Sequence, residues 1–193
     1  LLLLFSPPRF SDLFATGVRE RAVTLFIAQF LFVWAYAASI FLFPSFLREV
    51  RALDAFNFSL LIGAGNAIGV LGYVFAAWIG ERVWTRRNTV VLWTLLGALL
   101  FQVLVWGPTS FGQILLVYAL MSMFFYGSAA VKFAYLAEVF PTRIRALAMA
   151  CCGSLAVTLG SVAGPYTVSL AIESWGWQLG YATLVGVPLA LSG

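Results

Sequence analysis

Residues 111–136 read FGQILLVYALMSMFFYGSAAVKFAYL, and this stretch decides the fold class because Lys132 is its only charged side chain. A helix of about 20 mainly apolar residues spans the hydrocarbon core of a bilayer. The stretch has the length and composition of a membrane-spanning helix. It indicates that the chain folds in a bilayer.

Similar apolar stretches occur along the chain, so we predict an all-α integral membrane protein. Hydrophobic residues make up 63% of the chain and charged residues 9%, whereas a soluble domain has about 25% charged residues. Residues 1–21 are expected to end a cytoplasmic linker, and residues 22–193 to form one transmembrane domain. The predicted spans are residues 22–44, 56–79, 89–106, 111–136, 146–171 and 178–193, the last of which is shorter than a full crossing.

The first residue is Leu1 rather than methionine, and the last predicted span is incomplete. Both observations favour a fragment of a longer protein. Pro44 is expected to close the first span, where the loss of a backbone donor costs little. The adjacent pair Cys151 and Cys152 indicates no disulfide framework.

The arginines predict the orientation of the chain in the membrane. Cytoplasmic loops of membrane proteins carry an excess of Lys and Arg. If the N-terminus is cytoplasmic, only two arginines, Arg48 and Arg51, lie on the outer side of the membrane. We therefore predict this orientation, in a multi-pass protein of the plasma (inner) membrane. The arginines are spread over separate loops, so no nucleic-acid surface is expected. Those placed inside are Arg9, Arg19, Arg21, Arg82, Arg86, Arg87, Arg143 and Arg145.

Polar residues recur at helical spacing within three predicted spans. Side chains seven residues apart share one helix face, and unpaired donors are unfavourable in hydrocarbon, so these polar faces are expected to point inward. Hydrogen bonds between helices and a shared hydrated cavity both explain such stripes. The stripes are Gln29 and Tyr36; Ser59, Asn66 and Tyr73; and Ser154, Thr158 and Ser161.

Two short inner loops combine acids with arginines. Residues 76–88 read AAWIGERVWTRRN, and residues 137–146 read AEVFPTRIRA. Anchoring by positive charge explains the arginines but not the acids, and exposed ion pairs are individually weak, about 0–1 kcal/mol. A weak network suits a cytoplasmic gate that opens repeatedly. Its predicted members are Glu81, Arg82, Arg86, Glu138, Arg143 and Arg145.

The pattern Glu-x-Phe-Pro-Thr-x-x-Arg-Ala at 138–146 resembles the stretch after the tenth helix of the major facilitator superfamily, in its sugar-porter, aromatic-acid and metabolite–proton symporter branches. Residues 77–87 resemble the C-terminal copy of that superfamily's Gly-x-x-x-Asp-Arg-x-Gly-Arg-Arg signature. Arg82 and Arg86 occupy basic positions of the signature. Ala77, Glu81 and Trp84 depart from it.

The resemblance covers the whole chain and implies helices seven to twelve of a twelve-helix transporter. This half would be a six-helix bundle built as a 3+3 inverted repeat, and its partner would be the N-terminal half. The substrate site would lie near mid-membrane between the halves. Phe133 replaces the stacking tryptophan of sugar porters, and AQFLFVWAY at 28–36 keeps one glutamine of their seventh-helix pattern. These departures argue against a hexose.

Lys132 is the one charge well inside a predicted span, which makes it a functional candidate. Snorkelling towards the interface and structural pairing are the alternatives. Because no span carries a carboxylate to neutralise Lys132, an organic anion is the expected substrate. The resemblance to symporter branches implies proton symport, with the coupling acid in the other half. A neutral metabolite or sugar is the alternative substrate. The predicted binding residues are Gln29, Tyr36, Asn66, Tyr126, Lys132 and Phe133.

An intramembrane enzyme is a less favoured alternative, because the chain has no histidine to support a serine or metal site. We predict no catalytic residue, metal or cofactor. The expected partners are a small-molecule substrate, protons, the lipid bilayer and the N-terminal half.

Overall fold

The computed structural model describes residues 9–15 and 17–193, and within them the chain is helical, without strands. Residues 1–8 and Thr16 of the predicted linker lie outside the described residues. A 3₁₀ helix, Phe10–Phe14, precedes the long helices. The α-helices are α1 (Arg19–Glu49), α2 (Ala55–Arg82), α3 (Arg86–Trp106), α4 (Phe111–Val139), the short α5 (Arg145–Ala148), α6 (Ala156–Gly176) and α7 (Ala182–Leu191).

The first four predicted spans correspond to α1–α4, which extend beyond them at one or both ends. The prediction that Pro44 closes the first span is wrong, because Pro44 lies inside α1. Beyond Pro44, the side chains of Phe46 and Leu47 are fully buried in the core. The burial of these two side chains offsets the roughly 3 kcal/mol that a proline inside a helix costs, so the helix continues past Pro44.

Five helical stretches among the described residues are long and apolar enough to cross a membrane, and the fifth covers Arg145–Leu191. It contains two π-helical segments, Met149–Leu155 and Trp177–Tyr181. Gly176 interrupts it with φ of 80°, a conformation that favours glycine. A Cβ on Gly180 would lie only 2.8 Å from the carbonyl of Ala171. The two residues are nine positions apart in the sequence, and a straight helix would separate them by about 13 Å. The chain therefore folds back at Gly176, and the sixth full crossing stays a prediction.

Glycines let the helices pack in close pairs, α2 along α4 and α1 along α6. A Cβ on Gly69 would lie 2.7 Å from the Tyr126 ring, and one on Gly72 would collide with the Met123 carbonyl of α4. On the other pair, a Cβ on Gly160 would lie 2.8 Å from the Phe30 carbonyl. Helix α3 packs against α4 and α7, and α7 packs against α1, so α3 and α7 together join the two pairs.

Most of the charged side chains lie at one end of the bundle, here called the arginine-rich end (residues 9–21, 81–87 and 138–145). The 3₁₀ helix packs there, since Leu13 is buried beside Phe140 and Ile144. Arg143 lies 3.8 Å from Asp12 of the same 3₁₀ helix. Part of the predicted linker is thus held against the loop between α4 and α5.

Candidate functional site

Four tyrosines surround Asn66 where α1, α2 and α4 meet, and this group is here called the tyrosine cluster (Tyr36, Asn66, Tyr73, Tyr118 and Tyr126). The Tyr118 hydroxyl donates a hydrogen bond of 3.1 Å to Asn66 Oδ1, and the Tyr126 hydroxyl donates one of 3.0 Å to the same oxygen. The Tyr73 and Tyr126 rings stack with centroids 5.4 Å apart and planes 2° apart. Because both hydroxyls bond the Asn66 oxygen, the amide N–H groups remain available as donors.

The enclosed space of the tyrosine cluster measures only about 10 Å³, near the minimum for one water. A solute does not fit into this space. It can reach the tyrosine cluster only from the exposed side of the cluster, where Tyr73 is 41% exposed. Gly65 and Gly69 face the rings of Tyr118 and Tyr126. These glycines bring the two helix backbones close enough for the hydroxyls to bond Asn66.

A second polar region lies between α1, α3, α4 and α7, and is here called the lysine cavity. Its volume is about 210 Å³. Lys132 is buried, and its Nζ donates hydrogen bonds of 2.7 and 2.9 Å to the carbonyl and hydroxyl oxygens of Ser192. The ammonium lies 4.3 Å from the centroid of the Phe32 ring. No Asp or Glu side chain lines this cavity, whose polar side chains belong to Thr24, Gln29, Arg87, Lys132, Tyr135 and Ser192.

The predicted binding residues thus divide between regions. Tyr36, Asn66 and Tyr126 belong to the tyrosine cluster, whereas Gln29 and Lys132 line the lysine cavity. Phe133 belongs to neither, since it is 40% exposed and its ring lies near Gly153 of the first π-helical segment. The Phe32 ring stacks on Tyr36 at 5.8 Å and also contacts Lys132. It is therefore the direct packing link between the two regions.

Arg86 pairs with an acid from each of the two charged loops. Its Nη2 lies 3.0 Å from Glu138 Oε1 at the end of α4 and 3.5 Å from Glu81 Oε1 at the end of α2. Both carboxylates are more than half exposed, so each pair is weak. Within the described part of the chain, Arg82 and Arg145 form no ion pair.

The hydroxyl stripe predicted on residues 154–161 is bonded within its own helix. Thr158 Oγ1 donates to the Ser154 carbonyl at 3.0 Å, and Ser161 Oγ donates to the Thr158 carbonyl at 3.0 Å. Ser59 bonds the Ala55 carbonyl in the same way. Thr158, Ser161 and Ser59 therefore need no partner helix for their hydrogen bonds, and Ser59, Ser154 and Thr158 are exposed on the described chain. That these stripes face a shared cavity stays a prediction.

Sequence reasoning left several residues of both regions out of the predicted site. Tyr73 had a signal, since it lies seven residues from Asn66 on the same face of α2. Tyr118 lies eight residues before Tyr126, which also places it near that face of α4. Phe32, Arg87 and Ser192 had no such signal, because their contacts with Lys132 or its cavity depend on tertiary packing.

Comparison with known proteins places this architecture in a family. Residues 18–192 match the model of the Major Facilitator Superfamily, which covers most of the chain. A search of curated proteins found no match. Members of this family are multi-pass membrane proteins that move small-molecule substrates by secondary transport, and they are not enzymes. The chain therefore belongs to the Major Facilitator Superfamily.

Proposed function

We propose that the chain is the C-terminal half of a twelve-helix transporter that moves a small, ring-bearing organic anion by proton symport and alternating access. The pairing of helices supports a 3+3 repeat. The first unit would be α1, α2 and α3, and the second unit would be α4, the α5–α6 region and α7, in that order. When each helix is exchanged for its counterpart in the other unit, the α1–α6 contact becomes the α4–α2 contact. The same exchange maps α3–α4 onto α7–α1.

The tyrosine cluster carries this proposal. Its open side offers a ring, Tyr73, stacked on Tyr126, and an amide whose N–H groups are free to donate. Aromatic pairs contribute about 0.5–1.5 kcal/mol beyond the burial of their area. A planar solute packed on Tyr73 would bond Asn66 by extending along α2, since seven residues of helix span about 10 Å. Tyr36, Asn66, Tyr73 and Tyr126 are the proposed contacts.

The preference for an anion is attributed to Lys132 acting through space. Its ammonium is no more than about 10 Å from the Tyr36 ring, since Phe32 contacts both. At that distance a unit charge contributes on the order of 1–2 kcal/mol at an effective dielectric constant of 20. In the described part of the chain Lys132 forms no ion pair with any acid of the long helices, which are Glu20, Glu49, Glu81, Glu138 and Glu173.

Uptake by the complete transporter in proteoliposomes tests this function. An inward proton gradient is expected to drive accumulation of an aromatic carboxylate, and a protonophore is expected to abolish it. Asn66→Leu is expected to reduce uptake at least tenfold, because the donor to the substrate is lost. Ser59→Ala is the control, since Ser59 bonds only its own helix. Equal uptake by Asn66→Leu and Ser59→Ala would exclude the tyrosine cluster as the substrate site.

A neutral ring-bearing or hydroxylated metabolite is the second candidate, because the tyrosine cluster itself is uncharged. Competition between an aromatic carboxylate and its carboxamide distinguishes the two substrates. An anion transporter is inhibited far more strongly by the carboxylate. Equal inhibition by both compounds favours the neutral substrate.

Glu81, Arg86 and Glu138 are proposed to form a cytoplasmic gate, with Arg82, Arg143 and Arg145 adding positive charge around it. The arginine-rich end would then face the cytoplasm from the plasma (inner) membrane, in agreement with the positive-inside rule. Labelling single cysteines introduced at Asn88 and at Gln113 tests the orientation. A membrane-impermeant thiol reagent added outside intact cells is expected to modify only the Gln113 position.

A further inference from the structure

We propose that the 3₁₀ helix Phe10–Phe14 is a strap that holds the cytoplasmic gate closed, so that the predicted linker controls the gate. The inference rests on the proposed function, because the gate is part of that proposal. Its basis is the contact between this helix and the loop that joins α4 to α5, residues 140–144. The helix, here called the strap, packs against α1 and α5 at the arginine-rich end.

One side chain of the strap makes the apolar part of this contact. Leu13 is 3% exposed and belongs to a buried cluster at the arginine-rich end. The other members come from α1, the end of α4, the loop and the helical segments that follow the loop, and they are Ala22, Leu136, Phe140, Ile144, Ala148 and Cys152. Burial of Leu13 therefore holds the strap against the loop and against both α1 and α4.

Asp12 adds a polar contact from the same short helix. Its Oδ2 accepts a hydrogen bond of 3.1 Å from the backbone N–H of Arg9, and it lies 3.8 Å from Arg143 Nη2 in the loop. One carboxylate thus caps the strap and attracts the loop. Asp12→Asn separates these two roles, because the amide oxygen still accepts a hydrogen bond whereas the negative charge is lost.

The strap holds the turn of α4 that carries Glu138. Leu136 and Glu138 are two residues apart, which places them about 200° apart around the helix. Leu136 lies in the cluster with Leu13, and Glu138 forms its ion pair with Arg86 on the opposite side. The end of α4 is therefore held from two sides, by a buried apolar cluster and by an exposed ion pair. Exposed ion pairs are weak, so the cluster is the stronger of the two.

A tight turn connects the strap to α1. Gly17 has φ of 88°, in the left-handed region that favours glycine. The Val18 N–H donates to the Ala15 carbonyl at 3.0 Å. Ala22, in the first turn of α1, lies in the same cluster as Leu13. The strap therefore folds back on the helix that it precedes.

Hydrogen–deuterium exchange of the complete protein tests the strap. The exchange rate of the backbone amides is measured at residues 137–146, with residues 96–106 of α3 as an internal control for folding. Leu13→Ala is expected to raise the rate at residues 137–146 roughly tenfold or more, because the side chain that holds the strap is lost. Asp12→Asn is expected to raise it about twofold. Phe14→Ala is the matched control and is expected to leave it unchanged, since the Phe14 ring is 53% exposed and lies outside the cluster.

Labelling of Ala134→Cys with a thiol reagent tests whether the strap acts on the gate, because Ala134 lines a small cavity there. Every variant carries Cys151→Ala and Cys152→Val, and the valine keeps an apolar side chain of similar size in the cluster. Leu13→Ala is expected to raise the labelling rate more than Glu138→Gln does. Both measurements are made without substrate or proton gradient, so failure of the strap and failure of the proposed transport are distinguishable.

Two results overturn the inference. Equal exchange at residues 137–146 in Leu13→Ala and Phe14→Ala would show that Leu13 does not hold the loop. A rise in exchange without a rise in the labelling of Ala134→Cys would show that the strap does not act on the gate.

Asp12→Asn keeps the test decisive if Leu13→Ala disturbs the whole fold, which a rise in exchange at residues 96–106 would reveal. This variant loses one charge on an exposed ion pair and retains the cap of the strap. A rise confined to residues 137–146 then supports the strap, and no rise there overturns it.

Discussion

The two sides of α4 show two ways of burying polar groups in a membrane protein. On the side facing α2, Tyr118 and Tyr126 bond Asn66, and the enclosed space is about 10 Å³. On the side facing α1, α3 and α7, Lys132 bonds Ser192, but Gln29 Nε2 has no partner and about 210 Å³ stays open. In the first region two hydroxyls share the Asn66 oxygen and little space remains between the helices, whereas in the second region one buried donor, Gln29 Nε2, has no partner among the described residues.

The difference follows from the side chains opposite α4. Glycines on α2 bring its backbone against α4, so that hydroxyls and an amide are within bonding distance. On the other side α1 approaches α4 much less closely than α2 does, and the Phe32 ring of α1 lies against Lys132 between them. Glycines thus allow the close approach at the tyrosine cluster, and a large side chain occupies the wider gap at the lysine cavity.

The largest expected effect comes from breaking the close packing of α2 on α4. Gly72→Ala places a Cβ against the Met123 carbonyl, a backbone atom that cannot move without its helix. We expect the free energy of unfolding to fall by about 1–3 kcal/mol. Gly63→Ala is the control, because no atom lies within 4 Å of the added Cβ. Thermal unfolding in detergent measures both, and equal stability of the two variants would contradict this account of the α2–α4 interface.

Asn66→Asp tests whether the free amide of the tyrosine cluster matters for binding. The carboxylate still accepts hydrogen bonds from Tyr118 and Tyr126, but it replaces the N–H donors with negative charge. We expect anion uptake to fall at least tenfold while near-native folding is retained. Asn88→Asp, an exposed change of the same charge, is the control. Unchanged half-saturation in Asn66→Asp would remove Asn66 from the binding site.

Lys132→Gln separates action through space from direct contact with the substrate. Loss of a charge within about 10 Å of the Tyr36 ring is expected to raise the half-saturation concentration for anions by up to about tenfold, with little change for neutral analogues. Lys132→Arg is expected to restore part of the loss, because the charge remains but its geometry differs. Initial rates of uptake measure this. A loss of 1,000-fold or more would place Lys132 in contact with the substrate, and no loss would make it a structural lysine.

The smallest expected effect is at the end of α4. Glu138→Gln removes the 3.0 Å ion pair with Arg86, which contributes about 0–1 kcal/mol because it is exposed. We expect a modest shift towards the inward-open state with folding intact. The rate of labelling of Ala134→Cys, in a protein without Cys151 and Cys152, measures the opening, since Ala134 lines a small cavity beside Arg86. Glu173→Gln, near the other end of the bundle, is expected to leave that rate unchanged.

The sequence predicted the helices and part of the tyrosine cluster, because both depend on local patterns. Apolar runs identified α1–α4, and the seven-residue spacing of Asn66 and Tyr73 placed them on one face. Lys132 was predicted only as the one charge well inside a span. Its side chain could face any of several helices, and only tertiary packing directs it towards α7 and Ser192. Pro44 was misjudged for a related reason, since core packing outweighed its local preference.

The hydroxyls on residues 154–161 have a mechanical consequence for the proposed transporter, in which two halves would move against each other. Thr158 and Ser161 carry their acceptors on their own helix, so sliding this surface past another one breaks none of their hydrogen bonds. The surface carries hydroxyl groups that water can contact, and its hydrogen bonds do not depend on a neighbouring helix. Two helices that meet at such a surface can separate and meet again without breaking hydrogen bonds between them, as alternating access requires.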